Sequence, residues 1–354
     1  MFLKNVWYVA GPAEEFGDAV ISRRICNELI ALYRKQNGTL VALEDRCPHR
    51  FVPLSMGRRE VDDLRCGYHG LKFGPDGQCS ERPGGTGENP APICVKSYPV
   101  AECHGYAWLW MGDPAHADTA LIPDFSFITD PAFKCEAGYL HVKGHHELVT
   151  DNLLDLSHVN YLHPQIASTS HWAEWDNQVE VTRNTVWSRL RRPNQIPGAF
   201  QKMMWGSDSE RGDGRGDVRW DAPSVLYANT AITEVGADIE TTGLHTPSAH
   251  LLTPETDRST HYFWVTGRNK RKDDAELTAA LEKGVGTIFS TQDGPMVEAE
   301  QAAMGDSTDF LGHKPLILKA DAAGIRARRI LRRMIREEQE ANGSANNITV
   351  EPAE

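Results

Sequence analysis

The chain has 354 residues, 40% of them apolar and 24% charged, with a formal net charge of -12 at neutral pH. That length suits two domains better than one small core, and the balance is that of an ordinary globular protein. The acidic excess argues against nucleic acid as a partner, because phosphate binding needs a basic footprint. No run of about 18 apolar residues is present, so no membrane-spanning helix is expected, and Met1-Phe2-Leu3-Lys4-Asn5 holds no signal-peptide core. Seven cysteines, an odd number in a long chain, point to free or metal-bound thiols in a reducing, cytoplasmic compartment.

The first third reads as short strands and turns. Glu28–Arg34 and Leu40–Asp45 are apolar, β-prone runs around the turn signal Gln36-Asn37-Gly38. Further turns are expected at Gly74-Pro75-Asp76-Gly77 and in the Gly- and Pro-rich loop Arg82–Pro92, and Tyr106–Met111 reads as another strand. Residues 1–115 are expected to form an all-β domain, 116–135 a connector and 136–354 a second domain. In that second part Glu147–Leu162 has helical spacing, Gly206–Gly216 reads as a mobile loop, and Ser224–Val235 and His261–Thr266 read as strands. Asp274–Met304 and Ala320–Glu340 again show helical patterns. The last carries Ile330, Leu331, Met334 and Ile335 on one face. Its opposite face (Arg326, Arg328, Arg329, Arg332, Arg333, Arg336) is expected to be solvated surface or a subunit contact.

Cys47-Pro48-His49 is followed, sixteen residues later, by Cys66-Gly67-Tyr68-His69. Two thiolates and two imidazoles serve either one zinc or the two irons of a Rieske [2Fe–2S] centre. The order differs from that of a zinc finger, and each Cys/His pair sits between expected strands. Gly67 and Gly70 allow close backbone approach, and Pro48 stiffens the first loop. Iron is the better reading. Neutral imidazole in place of thiolate makes such a cluster easier to reduce, so it accepts single electrons from a ferredoxin-like donor.

The second dense cluster is Asp151-Asn152-Leu153-Leu154-Asp155-Leu156-Ser157-His158-Val159-Asn160-Tyr161-Leu162-His163. Asn152, Asp155 and His158 share a helix face. His163 is about 140° away on an ideal helix, so both histidines reach one metal only if the helix is distorted or ends between them. Two imidazoles and a carboxylate make the facial triad of Fe(II) oxygenases, which leaves positions open for dioxygen. Asp293 is the best carboxylate, with Glu298 and Glu300 as rivals.

Together these residues resemble the Rieske non-haem iron oxygenases, in the aryl O-demethylase group of vanillate and dicamba monooxygenases. The likeness runs from Lys4-Asn5-Val6-Trp7-Tyr8-Val9-Ala10 through both metal motifs to Leu252-Thr253-Pro254-Glu255-Thr256 and Gly267-Arg268-Asn269. It implies an α+β chain, an N-terminal all-β Rieske domain followed by a helix-grip catalytic domain. It implies Cys47, His49, Cys66 and His69 as cluster ligands and His158, His163 and Asp293 as ligands of a mononuclear Fe(II), with Asn152 beside it. Asp155 resembles a carboxylate that bridges the two centres, the alternative being an orienting group alone. A homotrimer and a separate NAD(P)H-dependent flavin and [2Fe–2S] reductase are implied as well. Asn229 and His250 match positions that contact an aromatic carboxylate in the group, or else are satisfied polar groups of the core. Where a relative carries a pocket tryptophan, this chain has Gly284.

The expected activity is that of a terminal oxygenase that uses O2 to O-demethylate an aromatic methyl ether, such as a methoxybenzoate, to a phenol and formaldehyde. A ring-hydroxylating dioxygenase would share both metal sites. A Rieske electron carrier would leave the Asn152–His163 cluster unexplained. Arg50, Arg58, Arg59 and Arg65 crowd the cluster loops and are the candidate surface for an acidic electron donor.

Overall fold

The computed structural model describes residues 1–85, 92–164, 167 and 176–346. The chain divides into two compact units, one of Lys4–Pro123 with Thr253–Thr256, the other of Met1–Leu3, Asp124–Leu252 and Asp257–Glu354. The division at Pro123 falls inside the stretch expected as a connector. Of the expected loop Arg82–Pro92, residues 86–91 lie outside the described residues.

The first unit holds three small sheets of three, four and four strands. Strand Glu28–Arg34 pairs with Leu40–Glu44 around a turn in which Gly38 takes φ 84°, a conformation that suits glycine. Tyr106–Trp110 is buried at every position because it lies between Trp7–Pro12 and Val100–Cys103, with the Trp7 and Trp110 rings edge to face at 5.4 Å. A second apolar cluster gathers Ala31, Tyr33, Leu43, Leu64 and Phe73 together with Cys47 and Cys66. Two of the cysteines are therefore part of a core, with the loops that carry them lying on its edge.

The second unit is built on a seven-stranded antiparallel sheet. Its order is Lys134–Val142, Ser259–Arg268, Leu244–Thr256, Val225–Glu234, Gly212–Asp221, Thr185–Gln195, Asp176–Thr182. The helices Ala275–Ile288 and Gly294–Met304 pack on the first strand, and the long helix Ala322–Asn346 on the last two. No described helix is long and apolar enough to cross a membrane.

Two expectations need correction. Gly206–Gly216 is not loop throughout: from Gly212 it is strand. Its glycines are there because neighbours come close. A Cβ on Gly214 would stand 2.0 Å from Nε2 of Gln195, and one on Gly212 would stand 2.4 Å from the Thr233 carbonyl oxygen. Nor are the arginines of the last helix one solvated face. Arg328 is 2% exposed and reaches Glu147 at 3.0 Å and Asp151 at 2.7 Å on the helix His146–Leu154. Burial holds both carboxyl groups above the usual carboxylate range, and the guanidinium between them offsets only part of that rise. The two helices touch closely, since a Cβ on Gly324 would lie 2.6 Å from Oδ1 of Asp151.

Removing one member of a buried charge network leaves the others unanswered in low dielectric. Arg328→Ala is expected to destabilise the protein by about 3–5 kcal/mol, read as a shift in the chemical denaturation midpoint at unchanged slope. A loss under about 1 kcal/mol would show that water answers Glu147 and Asp151 instead.

Candidate functional site

The two cysteine loops of the first unit fold by the same hydrogen-bond rule. Cys47 N donates to Val52 O at 2.9 Å and Phe51 N returns to Cys47 O at 2.8 Å. In the second loop Cys66 N donates to Leu71 O at 2.8 Å and Gly70 N returns to Cys66 O at 3.2 Å. The returning residue is left-handed in both, Phe51 at φ 64° and Gly70 at φ 77°. Buried Asp45 pins the first loop by accepting from Ser55 N at 2.7 Å and Ser55 Oγ at 2.6 Å. Gly67 lets the loops meet, because a Cβ there would lie 2.7 Å from the Met56 carbonyl oxygen.

The four donors end up sorted in pairs. The Cys47 and Cys66 thiols are buried and in contact, and burial pushes the Cys47 thiol up. His49 and His69 are exposed, with ring centroids 4.4 Å apart. Among the described residues these four are not one of the groups whose ligand atoms all fall within 4.8 Å. A single zinc needs that convergence; a two-iron cluster with thiols on the inner iron and imidazoles on the outer does not. The residues fit a Rieske centre. Of the nearby arginines, Arg65 is drawn into ion pairs with Glu60 and Glu81 at 2.7 and 2.6 Å, Arg59 into one with Asp18, and Arg58 into one with Glu60. Arg50 is exposed beside His49.

In the second unit the expected helix Glu147–Leu162 is broken, as convergence of its histidines requires. The helix His146–Leu154 stops at Asp155, which takes extended angles (φ -101°, ψ 97°) and accepts from Ser157 N with Oδ1 at 2.7 Å. A single turn, Leu156–His158, follows, then Val159–Leu162. The opposing carboxylate also comes from an irregular turn. Phe289–Asp293 forms a π-helical segment between Ala275–Ile288 and Gly294–Met304, and such a bulge re-aims one side chain.

The result is that His158 Nε2 and His163 Nε2 lie 3.4 and 3.1 Å from the same Oδ1 of Asp293. The other ring nitrogens are occupied: Nδ1 of His158 donates to the main-chain oxygen of Asp155 at 2.5 Å, and Nδ1 of His163 to Oε1 of Gln292 at 2.6 Å. That leaves each Nε2 turned to Asp293 as the candidate ligand atom, the usual arrangement for a metal-binding histidine. Asn152 Nδ2 donates to Asp293 Oδ1 at 3.2 Å. Burial pushes the Asp293 carboxyl up, but hydrogen bonds from His158, His163 and Asn152 outweigh it and hold the group below the usual carboxylate range. Two imidazoles and one carboxylate suit a divalent iron with open positions. Of the rivals, Glu298 accepts from Lys143 N at 3.2 Å, and Glu300 lines a different cavity. Gln292 has no signal in the string beyond its place next to Asp293.

A second group, His145, His146 and Glu147, also brings its ligand atoms within 4.8 Å. Arg328 stands beside it, and Nδ1 of His145 accepts from Glu147 N at 3.4 Å. A neighbouring fixed cation makes this a poor place for another.

His158, His163 and Asp293 open on a cavity of about 300 Å³. His250 lines it, is 7% exposed, and shares a 2.7 Å hydrogen bond with the Tyr262 hydroxyl. Burial lowers it to about 4, so the ring is neutral at ordinary pH. Asn229 is not among the lining residues: Ala228 and Thr230 are, and by strand alternation Asn229 faces the other way, its amide 3.2 Å from Nδ1 of His245. Gly284 faces Phe200, whose ring would be 2.8 Å from a Cβ there, so the aromatic wall comes from another helix. Asp155 lines a second, wider cavity of about 540 Å³, which shares Asn152 and His158 with the first. It is the main-chain oxygen of Asp155 that holds His158, and not the carboxylate.

The Rieske [2Fe-2S] domain family matches residues 6–99, and the vanillate O-demethylase oxygenase C-terminal domain family matches residues 142–337. The oxygenase component of dicamba O-demethylase from Stenotrophomonas maltophilia is 35% identical over 94% of this chain and 98% of its own. The oxygenase component of chloroacetanilide N-alkylformylase from Rhizorhabdus wittichii is 36% identical over 96% and 97%. A crystal structure of dicamba monooxygenase bound to 3,6-dichlorosalicylic acid superposes with a TM-score of 0.88 at 35% identity, covering 96% of this chain and 99% of that one.

Asp293→Ala is expected to bring total iron down to parity with acid-labile sulfide while the visible absorbance of the cluster is kept. Iron remaining in excess of sulfide would place the third ligand elsewhere.

Proposed function

The chain belongs to the Rieske non-haem iron oxygenases that carry a vanillate O-demethylase oxygenase C-terminal domain, and from that premise we propose that it O-demethylates a small aromatic methyl ether, a methoxybenzoate such as vanillate. One observation carries the reading: two imidazoles with their Nδ1 nitrogens tied back, and one carboxylate, converge on the wall of a mostly apolar cavity that fits a single substituted ring. The balance is one aryl methyl ether, one O2, two electrons and two protons giving a phenol, formaldehyde and water. The methyl C–H bond takes one oxygen atom, and the resulting hemiacetal breaks its carbon–oxygen bond to release formaldehyde.

Bound at their sites, the cluster supplies electrons one at a time and the iron supplies the activation of dioxygen. His158, His163 and Asp293 hold the iron, and Cys47, His49, Cys66 and His69 hold the cluster. Asp155 and Gln292 keep the two imidazoles in one tautomer with Nε2 outward. Phe289, edge-on to His250 at 5.7 Å, and Phe200 flank the ring and keep water from the reacting carbon. As the oxygenase component of a multicomponent system the protein takes its electrons from a reductase, here an NAD(P)H-dependent flavin and [2Fe–2S] protein. None of the seven cysteines is in a disulfide, two being cluster ligands, which suits a reducing cytoplasm.

Copies of the chain assemble as a trimer in which the cluster loops of one copy meet the Asp155 wall of the next. Exposed apolar side chains on both surfaces support this: Phe51 and Tyr68 near the cluster, Tyr161 and Met296 around Asp155. The Asp155 carboxylate then has one oxygen on Ser157 and the other available to an incoming cluster histidine.

With reductase, NAD(P)H and a panel of methoxybenzoates, formaldehyde and phenol are expected in equal amounts. A dihydrodiol without formaldehyde would make the enzyme a ring dioxygenase. Asp155→Asn is expected to keep both metals and to slow formaldehyde release by about 10- to 100-fold; turnover at the wild-type rate would remove the carboxylate from the electron route.

A further inference from the structure

The chain is acidic overall, with a net charge of -12, yet residues 322–336 carry six arginines and no carboxylate. Arg328 is buried; Arg326, Arg329, Arg332 and Arg336 are exposed. Arg332 pairs with Asp309 and Arg333 with Glu337. Among the described residues, Arg326, Arg329 and Arg336 enter no ion pair. Spacings of three and seven residues put these three on one face of the helix Ala322–Asn346, in a band about 15 Å long. Like charges at such spacings cost a helix stability, so folding alone does not account for the band.

The band begins where the Asp155 wall ends. Gly324 and Ile325 line that cavity together with the carboxylates of Asp155, Glu300 and Asp321, and Arg329 follows Ile325 by about one turn. Two surfaces of opposite sign therefore lie side by side. In the trimer the acidic wall receives the cluster loops of another copy, whose exposed Arg46 and Arg50 suit its carboxylates. Those loops do not suit a row of arginines. Around the cluster itself Arg58, Arg59 and Arg65 are already paired with carboxylates. The cationic surface left for an acidic partner is the band, next to the wall at which a cluster arrives.

Ahead of the helix, Leu316, Ile317 and Leu318 are 85, 48 and 58% exposed, with exposed Lys314 and Lys319 at either end. Leu318 N donates to Oδ2 of Asp321 at 2.5 Å and Asp309 pairs with Arg332, so this strap runs beside the start of the helix. Large apolar side chains in a row, rimmed by cations, have the make-up of a docking patch: an apolar centre that excludes water and charges that steer.

We propose that the band Arg326, Arg329 and Arg336, with the strap Leu316–Leu318, is the docking surface for an acidic [2Fe–2S] electron donor. It rests on the reductase-fed oxygenase of the preceding section, and on the trimer for nearness to a cluster. Docking itself needs neither turnover nor assembly, so each can fail by itself.

A plant-type [2Fe–2S] ferredoxin, an acidic one-electron donor, serves as the probe. Its binding to the fully loaded enzyme is measured by calorimetry under argon, and bleaching of the cluster absorbance is followed with the reduced form. Wild-type affinity is expected to fall about 10-fold or more between about 10 mM and about 1 M salt, as the screening length shrinks from roughly 30 to 3 Å. Changing Arg326, Arg329 and Arg336 together to Gln is expected to weaken Kd about 10-fold or more at low salt and to flatten its salt dependence, while the three Lys replacements keep most of both. Leu316→Ser is expected to weaken binding at every salt concentration alike; an unchanged Kd there overturns the part given to the strap. Iron, sulfide and mass by light scattering are expected to stay as in the wild type. Wild-type binding that is absent or indifferent to salt overturns the proposal whether or not any variant folds. So does a Gln variant that binds like the wild type, a Lys variant that loses as much as the Gln variant, or binding without bleaching. A Gln variant of altered mass makes the band a contact between copies and overturns it too. A monomeric wild type that still binds ferredoxin through the band defeats the trimer alone, and bleaching by ferredoxin without formaldehyde from any methoxybenzoate defeats the demethylase reading alone.

Discussion

The catalytic unit depends on two histidines five residues apart pointing their outer nitrogens at one carboxylate oxygen. A regular helix forbids it, because the two side chains would diverge by about 140°. The chain solves this with two irregular turns that face each other. One is the stop at Asp155, where extended angles end the helix and the carboxylate caps the next turn. The other is the π segment Phe289–Asp293, whose extra residue swings Asp293 inward. Contacts behind the two turns hold them in place: Arg328 fixes the first helix through Glu147 and Asp151, and the cross-contacts of Asn152 and Gln292 bind the turns to each other.

The same economy governs the first unit. Two loops obey one hydrogen-bond rule, and their thiols continue an apolar core while their imidazoles face outward. A donor set divided this way has a dry side and a wet side, which is what a cluster needs if it is to be shielded from water on its thiol side yet reachable by partners at its imidazoles. The glycines at the loop contact serve proximity more than freedom, since a methyl group on Gly67 would strike the Met56 carbonyl.

Much of this was legible because metal donors announce themselves by residue type and spacing. Cys-x-His and Cys-x-x-His stand out from any background, and the Asn152–His163 cluster is nearly as dense. The family resemblance extended that legibility to the order of domains. What stayed hidden depends on depth and on parity. Arg328 is one of six similar arginines on its helix, and the carboxylates that bury it lie 181 and 177 residues upstream. Asn229 reads as a pocket residue until the strand is laid down, and a period of two then turns it away from His250. Gly206–Gly216 has the composition of a loop, yet Gln195 and Trp205 crowd its glycines into a sheet. Polar outer strands such as Asp176–Thr182, with valine its one apolar residue type, give too short an apolar alternation to be seen.

Asp155 is worth following one step outward. Its main chain anchors one imidazole of the oxygen-activating site, its side chain holds the turn that carries that imidazole, and it also forms part of an open wall. Whatever presses on that wall presses, within a single residue, on the aim of His158. The site therefore has a built-in mechanical listener: a load on the open wall and the alignment of the His158 ring inside are not two events joined by a long relay, but two ends of the same residue's contacts.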